Sequence, residues 1–354
     1  MERVMMKGNE ALAEGAIRAG CRYFFGYPIT PQNEIPEYMA RRMPEVGGVF
    51  LQAESEVSAI NMVYGAGGAG ARVLTSSSSP GISLKQEGIS YLAGAQVPCV
   101  IVNVARGGPG LGGLNPSQAD YFQATKGGGH GDYRLLVYAP GNAQEMVDLI
   151  GLAFDKAEAY RNPVMILTDA IMGQMMEPVV LPPLRTVAPD QPWATTGKRG
   201  RSKPNIINSL GLVGEDLERI NRELQAKYAR MAASEVRYEA DGVEEADLVV
   251  VAYGTTSRVA RSAIARLRQE KKKVGLLRPI TLWPFPQQIL AELATAGKRF
   301  LVVEMSAGQL VEDVILGVND REKVAFFGKL NGTVPTVREV YDRIRSLLSE
   351  GGEG

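Results

Sequence analysis

The sequence predicts an α/β protein built on a doubly wound parallel sheet, followed by a second, smaller α/β unit. Three observations predict it. Short, nearly continuous apolar runs such as residues 97–104 (VPCVIVNV) mark strands buried on both faces. Segments with apolar positions at helical spacing alternate with those runs. Turns rich in Gly, Pro and Ser close several of the runs, at the carboxyl ends where folds of this class gather ligands.

Taken in order, residues 7–19 set Ala11, Leu12, Ala16 and Ile17 on one helical face, with Asn9 as the expected cap. Residues 23–25 are short and aromatic, hence a strand. They run into Gly26-Tyr27-Pro28-Ile29-Thr30-Pro31, a turn fixed by two prolines. Residues 33–42 read as a helix, 49–52 as a strand and 56–69 as a helix of small residues. The strand at 72–76 ends in a serine-rich turn, Ser76 to Gly81, and a helix follows over 84–95. After the strand at 97–104, strands at 135–138 and 164–167 bracket an amphipathic helix over 143–159. Residues 1–180 form the first expected unit.

The character changes over 181–244, the expected linker. Leu181-Pro182-Pro183-Leu184, Pro189, Pro192 and the basic stretch 198–201 make a proline-rich, charged crossing. Residues 216–236 then read as one long polar helix lying solvated across the first unit. The second unit, 245–354, opens with a buried strand and glycine turn at 247–254. A helix at 257–270, strands at 273–277 and 299–304, and helices within 284–296, 311–318 and 337–348 complete it.

The 354 residues suit two domains, and 45% hydrophobic with 22% charged residues is ordinary for a globular chain. Lys+Arg and Asp+Glu both number 39, so the net charge is zero. Such a chain has no bulk attraction for nucleic acid or an anionic membrane. No apolar run reaches the about 18 residues of a membrane span, and no secretory leader is expected, which makes the cytoplasm the expected location. Cys21 and Cys99 are the two cysteines, and no CxxC occurs. They cannot supply four thiolates to an iron–sulfur cluster, and no metal ligand set is expected here. Two buried free thiols are expected, with a disulfide as the lesser alternative.

Several residues carry chemistry, each with a plainer reading beside it. Glu56 opens a helix rich in small residues, where a carboxylate also serves as an ordinary cap. Thr30 lies in the proline turn, where its hydroxyl can bond its own backbone. Arg106 follows the buried strand at 97–104 and precedes a glycine loop; an arginine there can clamp a carboxylate with two parallel hydrogen bonds or serve a surface ion pair. The loop at 107–120 is too glycine-rich to pack alone and carries Gln118 and Asp120. His130, the single histidine, sits in a second glycine loop, where scaffolding competes with proton transfer.

Glu56, with Gly65 nine residues later and the turn Ser76-Ser77-Ser78-Ser79-Pro80-Gly81 beyond it, resembles the pyrimidine-binding domain of thiamine-diphosphate enzymes. With Gly26-Tyr27-Pro28-Ile29-Thr30-Pro31, Ala105-Arg106-Gly107-Gly108-Pro109 and the stretch 275–286 (GLLRPITLWPFP), the whole chain resembles the α-type subunit of 2-oxoacid:ferredoxin oxidoreductases. The second unit resembles the transketolase C-terminal type, with Gly254-Thr255-Thr256 and residues 304–309 as structural or interfacial turns.

The resemblance implies that Glu56 is catalytic. It hydrogen-bonds N1′ of the aminopyrimidine and favours the 4′-imino tautomer that takes the thiazolium C2 proton. A carboxyl group enclosed by small apolar side chains suits that proton sharing. Thr30 and Arg106 face the substrate carboxylate by the same resemblance. Tyr27, Pro28 and Ser79 are the further cofactor-binding candidates, with Gln118, Asp120 and His130 behind them. No GDG motif is present, so the diphosphate, Mg²⁺ and a 4Fe–4S cluster are expected on a β-type partner. A γ-type and a ferredoxin-like subunit are expected beside it, with ferredoxin as electron acceptor and CoA as acyl acceptor. The loops at 106–113 and 117–122 are similar to the branched-chain (2-oxoisovalerate) type more than to the 2-oxoglutarate type, with pyruvate third. A self-contained thiamine decarboxylase or synthase is disfavoured by the missing diphosphate motif. A non-catalytic assembly paralogue is disfavoured by the retained Glu56, Thr30 and Arg106.

Overall fold

The computed structural model describes residues 3–185, 191–330 and 332–350; Pro189 of the crossing and the GGEG tail lie outside them. Through the first unit the elements run β1 (Arg3–Lys7), α1 (Gly8–Arg18), β2 (Tyr23–Gly26), α2 (Glu34–Glu45), β3 (Val49–Gln52), α3 (Glu56–Gly68), β4 (Val73–Ser77), α4 (Ser79–Gly94), β5 (Cys99–Ala105), α5 (Tyr121–Thr125), β6 (Leu136–Tyr138), α6 (Ala143–Tyr160), β7 (Pro163–Asp169), α7 (Ala170–Gln174) and β8 (Met176–Val180). Then come α8 (Gly214–Ser234), β9 (Tyr238–Asp241), β10 (Leu248–Val251), α9 (Gly254–Gln269), β11 (Val274–Pro279), β12 (Thr281–Trp283), α10 (Gln287–Thr295), β13 (Arg299–Glu304), α11 (Leu310–Val318), β14 (Val324–Gly328) and α12 (Val337–Glu350).

Seven strands make the large sheet, in the order β12-β6-β7-β5-β4-β2-β3. All its neighbours are parallel except β12, which pairs antiparallel with β6 at the edge. Every residue of β5 and β7 is buried, which is why both read as continuous apolar runs. The smaller sheet, β14-β13-β10-β11-β9, is parallel apart from β9. A third, two-stranded sheet pairs β1 antiparallel with β8. The two large sheets are interlaced in sequence. β9 lies within the stretch expected as linker, yet it edges the smaller sheet. β12 belongs to the second unit's sequence but completes the first sheet.

Two local expectations need correction. Asn9 does not cap α1: Lys7 holds that position, and Asn9 is buried within the first turn. Its amide donates to the Pro31 carbonyl at 3.0 Å and to Glu34 Oε2 at 2.9 Å, tying α1 to the turn after β2. Gly8 lets the helix start this early, because a Cβ there would overlap the Met172 carbonyl. The serine-rich segment is not a free turn either. β4 runs to Ser77, and Ser79-Pro80-Gly81 is already the first turn of α4, with Pro80 at its tolerated helix-start position.

The long polar helix is α8. Its exposed side carries the ladders Arg219–Glu223 and Arg222–Glu218, and it buries Leu224, Lys227, Tyr228 and Met231 against the first unit. Cys21 and Cys99 are both buried and free. Among the described residues no helix is long and apolar enough to cross a membrane.

Candidate active site

After β2 the chain moves outward to β3, then returns to lay β4 on the other side of β2. The loops leaving β2 and β4 therefore separate in opposite directions and open a crevice at the carboxyl ends of the strands. Tyr27, Pro28 and Thr30 follow β2, Glu56 follows β3, Ser79 follows β4 and Arg106 follows β5. The residues picked from separate motifs thus share one end of one sheet.

Arg106 is the hub. Its backbone N–H donates to Ser79 Oγ at 2.9 Å, its Nη1 to the Thr30 carbonyl at 2.8 Å, and its Nη2 to the Leu111 carbonyl at 3.2 Å. It is 7% exposed, and its Nε–H is buried without a partner. It is therefore no surface ion-pair residue. Ser79 Oγ donates to Asp120 Oδ2 at 2.6 Å, and Asn103 Nδ2 donates to the same oxygen at 2.8 Å. Desolvation by burial raises the Asp120 carboxyl above its ordinary value, against those two hydrogen bonds. Thr30 is exposed, with its hydroxyl accepting from Asn33 Nδ2 at 3.3 Å. The glycine loop is held at its neck, where Gly107 N–H donates to the Asn115 carbonyl and Gly113 N–H to that of Gly107. Gly112, at φ +61°, has no room for a Cβ beside the Gly107 carbonyl.

Glu56 is 6% exposed at the start of α3. Ser55 provides the cap, its hydroxyl accepting from Ser58 N–H, so Glu56 is not spent on capping. A Cβ on Gly81 would lie 2.7 Å from Glu56 Oε1 and would overlap Ser77 Oγ, so the glycine is what admits the carboxylate against α4. The enclosure is not the wholly apolar one expected. Lys85 is fully buried on α4, and burial pushes its amine down to about 7 against the opposing pull of Glu56. Lys85 and Asn103 were not legible as site residues. The one signal for Lys85 is its place on the stripe Ile82, Lys85, Ile89, where helical spacing calls for an apolar side chain.

Two candidates lie elsewhere. Gln118 is 2% exposed at the junction of the two units. Its amide donates to the Tyr253 carbonyl at 2.9 Å and accepts from Met305 N–H at 2.9 Å and from Thr256 Oγ1 at 3.3 Å. Thr255 Oγ1 also crosses this junction, donating to Asp169 Oδ1 at 2.9 Å. His130 is exposed, and its Nδ1 is 3.4 Å from Ser90 Oγ. Ser79 opens α4 and Ser90 lies about three turns along it, about 16 Å away at the helical rise. His130 thus sits at the far end of that helix from Arg106.

The donor set fits the pyrimidine half of thiamine diphosphate. An enclosed carboxylate opens α3, a glycine cradle faces it, and Ser77 Oγ, Ser78 Oγ, Asn103 Oδ1 and Arg106 Nε are buried polar atoms without partners in the crevice. The fold is thus a doubly wound α/β unit with a second, smaller α/β unit, and its crevice is of the kind that suits the thiamine-diphosphate class.

Comparison with known proteins agrees. The family described as pyruvate flavodoxin/ferredoxin oxidoreductase, thiamine diphosphate-binding, matches residues 14–239, and pyruvate:ferredoxin oxidoreductase core domain II matches residues 246–340. The ketoisovalerate oxidoreductase subunit VorB of Methanothermobacter thermautotrophicus is 52% identical over 354 residues, covering 100% of both chains. The 2-oxoglutarate synthase subunit KorA of Methanocaldococcus jannaschii is 36% identical over 96% of this chain and 98% of its own. A solved 2-oxoglutarate:ferredoxin oxidoreductase from Magnetococcus marinus, with 2-oxoglutarate, coenzyme A and succinyl-CoA bound, superposes with a TM-score of 0.87 at 28% identity. That likeness covers 98% of this chain and 65% of that one. A split-gene transketolase, at 14% identity and a TM-score of 0.61, shares the fold. The chain belongs to the 2-oxoacid:ferredoxin oxidoreductases and is one subunit of such an enzyme, with a thiamine-diphosphate-binding domain. The family's reaction is oxidative decarboxylation of a 2-oxoacid to an acyl-CoA.

Proposed function

We propose that this subunit holds a branched-chain 2-oxoacid, 2-oxoisovalerate foremost, and activates thiamine diphosphate anchored mainly by a partner. The supporting observation is the convergence of Glu56, Thr30 and Arg106 at one switch point, with Arg106 Nε–H buried and unspent. When bound, thiamine diphosphate supplies the electron sink for decarboxylation. Glu56 holds and returns one proton at the pyrimidine N1′. Arg106 and the Thr30 hydroxyl orient the substrate carboxylate, the arginine through Nε–H and its remaining terminal hydrogens. Tyr27 and Pro28 wall the pyrimidine, and Ser79 fixes the Arg106 backbone. Asp120 acts behind Ser79; Gln118 and His130 have no step in this reading.

The chain lacks a GDG motif and cluster cysteines, which supports a β-type partner carrying the diphosphate site, Mg²⁺ and a 4Fe–4S cluster. γ-type and ferredoxin-like subunits, ferredoxin and CoA complete the expected set. Two buried thiols left unpaired fit the reducing cytoplasm. The division into units 1–180 and 245–354 with a linker at 181–244 belongs to the same proposal, with β9 and β12 exchanged across it.

The branched-chain substrate is supported by full-length similarity that is higher to the ketoisovalerate subunit than to the 2-oxoglutarate subunits. The test is co-expression with the partner subunits and CoA-dependent viologen reduction on a panel of 2-oxoacids. The highest kcat/KM is expected with 2-oxoisovalerate. A higher value with 2-oxoglutarate or pyruvate overturns the substrate assignment, and no 2-oxoacid-dependent reduction overturns the catalytic role.

A further inference from the structure

We infer that Lys85 is the counter-charge of the Glu56 carboxylate, a positioning residue that acts on the cofactor's pyrimidine only through that acid. The inference rests on the cofactor-facing role of Glu56 proposed above for its catalytic consequence, but not for the pairing itself.

Lys85 has 0% exposure in the middle of α4. Its Nζ donates to Thr75 Oγ1 at 2.7 Å and to the Ser76 carbonyl at 3.0 Å, both on β4. Neither partner is charged. Among the described residues no carboxylate stands within salt-bridge reach of it. A lysine in that position costs the fold unless some charge offsets it, since an ammonium is poorly solvated by one hydroxyl and one carbonyl.

Geometry supplies the offset. One turn back along α4 is Gly81, whose absent side chain admits Glu56 Oε1 and Ser77 Oγ. The next residue of β4 after Ser76 is therefore the one beside the Glu56 carboxylate. The charged and titratable groups facing Lys85 are Glu56 of α3 and Cys99 of β5, and the buried Cys99 thiol is pushed well up, so it is uncharged. Glu56 is thus the one facing group placed to carry negative charge. Conversely, Glu56 gains a cation on its α4 side, where Gly81 admits its Oε1.

A purely packing role for Lys85 makes its hydrogen bonds matter and its charge irrelevant. The two roles separate in a double-mutant cycle on the assembled complex at pH 6, below the value of about 7 to which burial pushes the amine, read by thermal unfolding without cofactor. Lys85→Met is expected to raise Tm in the Glu56→Gln background, where the ammonium has lost its counter-charge, and not to raise it in the wild-type background. The two changes should differ by about 3 °C. Lys85→Gln, which is uncharged and still offers two N–H donors toward β4, should follow the same pattern and stands in if Lys85→Met does not assemble. Equal Tm changes in both backgrounds overturn the inference.

A second measurement reports on the chemistry. Exchange of the C2 proton of bound thiamine diphosphate should slow about tenfold in Lys85→Gln. Unchanged exchange there, with exchange lost in Glu56→Gln, overturns the positioning role and leaves the Glu56 reading intact. A non-additive cycle with exchange unaffected by Glu56→Gln overturns the Glu56 reading and keeps the pairing.

Discussion

Arg106 and Thr30, 76 residues apart in sequence, are joined by a 2.8 Å hydrogen bond from the arginine Nη1 to the threonine carbonyl. The bond spans the crevice between the loops that leave β5 and β2. It aims the guanidinium by spending one donor on backbone, and Nε–H remains for a ligand. Arg106→Met should therefore damage both orientation and charge. kcat/KM for the 2-oxoacid is expected to fall by about a hundredfold or more, while thiamine diphosphate still binds. Unchanged steady-state kinetics in the assembled enzyme would remove Arg106 from the site.

Ser55, not Glu56, caps α3, so loss of the Glu56 carboxylate should leave the folded structure in place, at a lower Tm where Lys85 loses its counter-charge. Glu56→Gln is expected to abolish turnover with the circular dichroism and assembly of wild type. A variant retaining about a tenth of the wild-type rate contradicts the proton-holding role.

Ser79 links Arg106 to Asp120. Ser79→Ala leaves the Arg106 N–H without a partner, at about 1–3 kcal/mol for the buried group, and leaves Asp120 Oδ2 with Asn103 as its one donor. A lower Tm and a raised KM are expected together, from unfolding curves and initial rates on one preparation. A raised KM with Tm unchanged assigns Ser79 to ligand contact alone.

The Gln118 side chain makes three buried hydrogen bonds across the junction of the two units and none toward the crevice. Gln118→Ala should lower Tm by several degrees while leaving kcat within about twofold. A large loss of kcat at unchanged Tm would return Gln118 to the site.

Lys227 is buried under α8, donating to the Arg161 carbonyl at 3.1 Å. Desolvation, then the Arg161 and Arg230 charges, push its amine down to about 7 from 10.5. Between those values the unfolded chain binds the proton and the folded chain does not. Stability from this group therefore rises with pH across that window, and the full cost of the buried ammonium is present below about 7. Lys227→Met should raise Tm more at pH 6 than at pH 9, conditions chosen as roughly one unit below and two above the shifted value. An equal gain at both values means the folded-state amine is not pushed down and stays charged across the window.

The sequence alone determined the alternation of buried strands and helices, because strands covered on both faces have no polar side to interrupt them. It also singled out Thr30, Glu56, Ser79 and Arg106 as candidates, since proline turns, glycine loops and strand ends are local features. Tertiary structure decided the rest. Strand order, which puts β2 between β3 and β4, is set by long-range packing and makes four loops share one crevice. Edge strands β9 and β12 are too short to carry a pattern and exist through their pairing partners. Lys85 and Gln118 show the same limit. Their residue types suggest surface, and only the enclosing α3, β4 and second-unit loops make one a buried cation and the other a clasp between the two units.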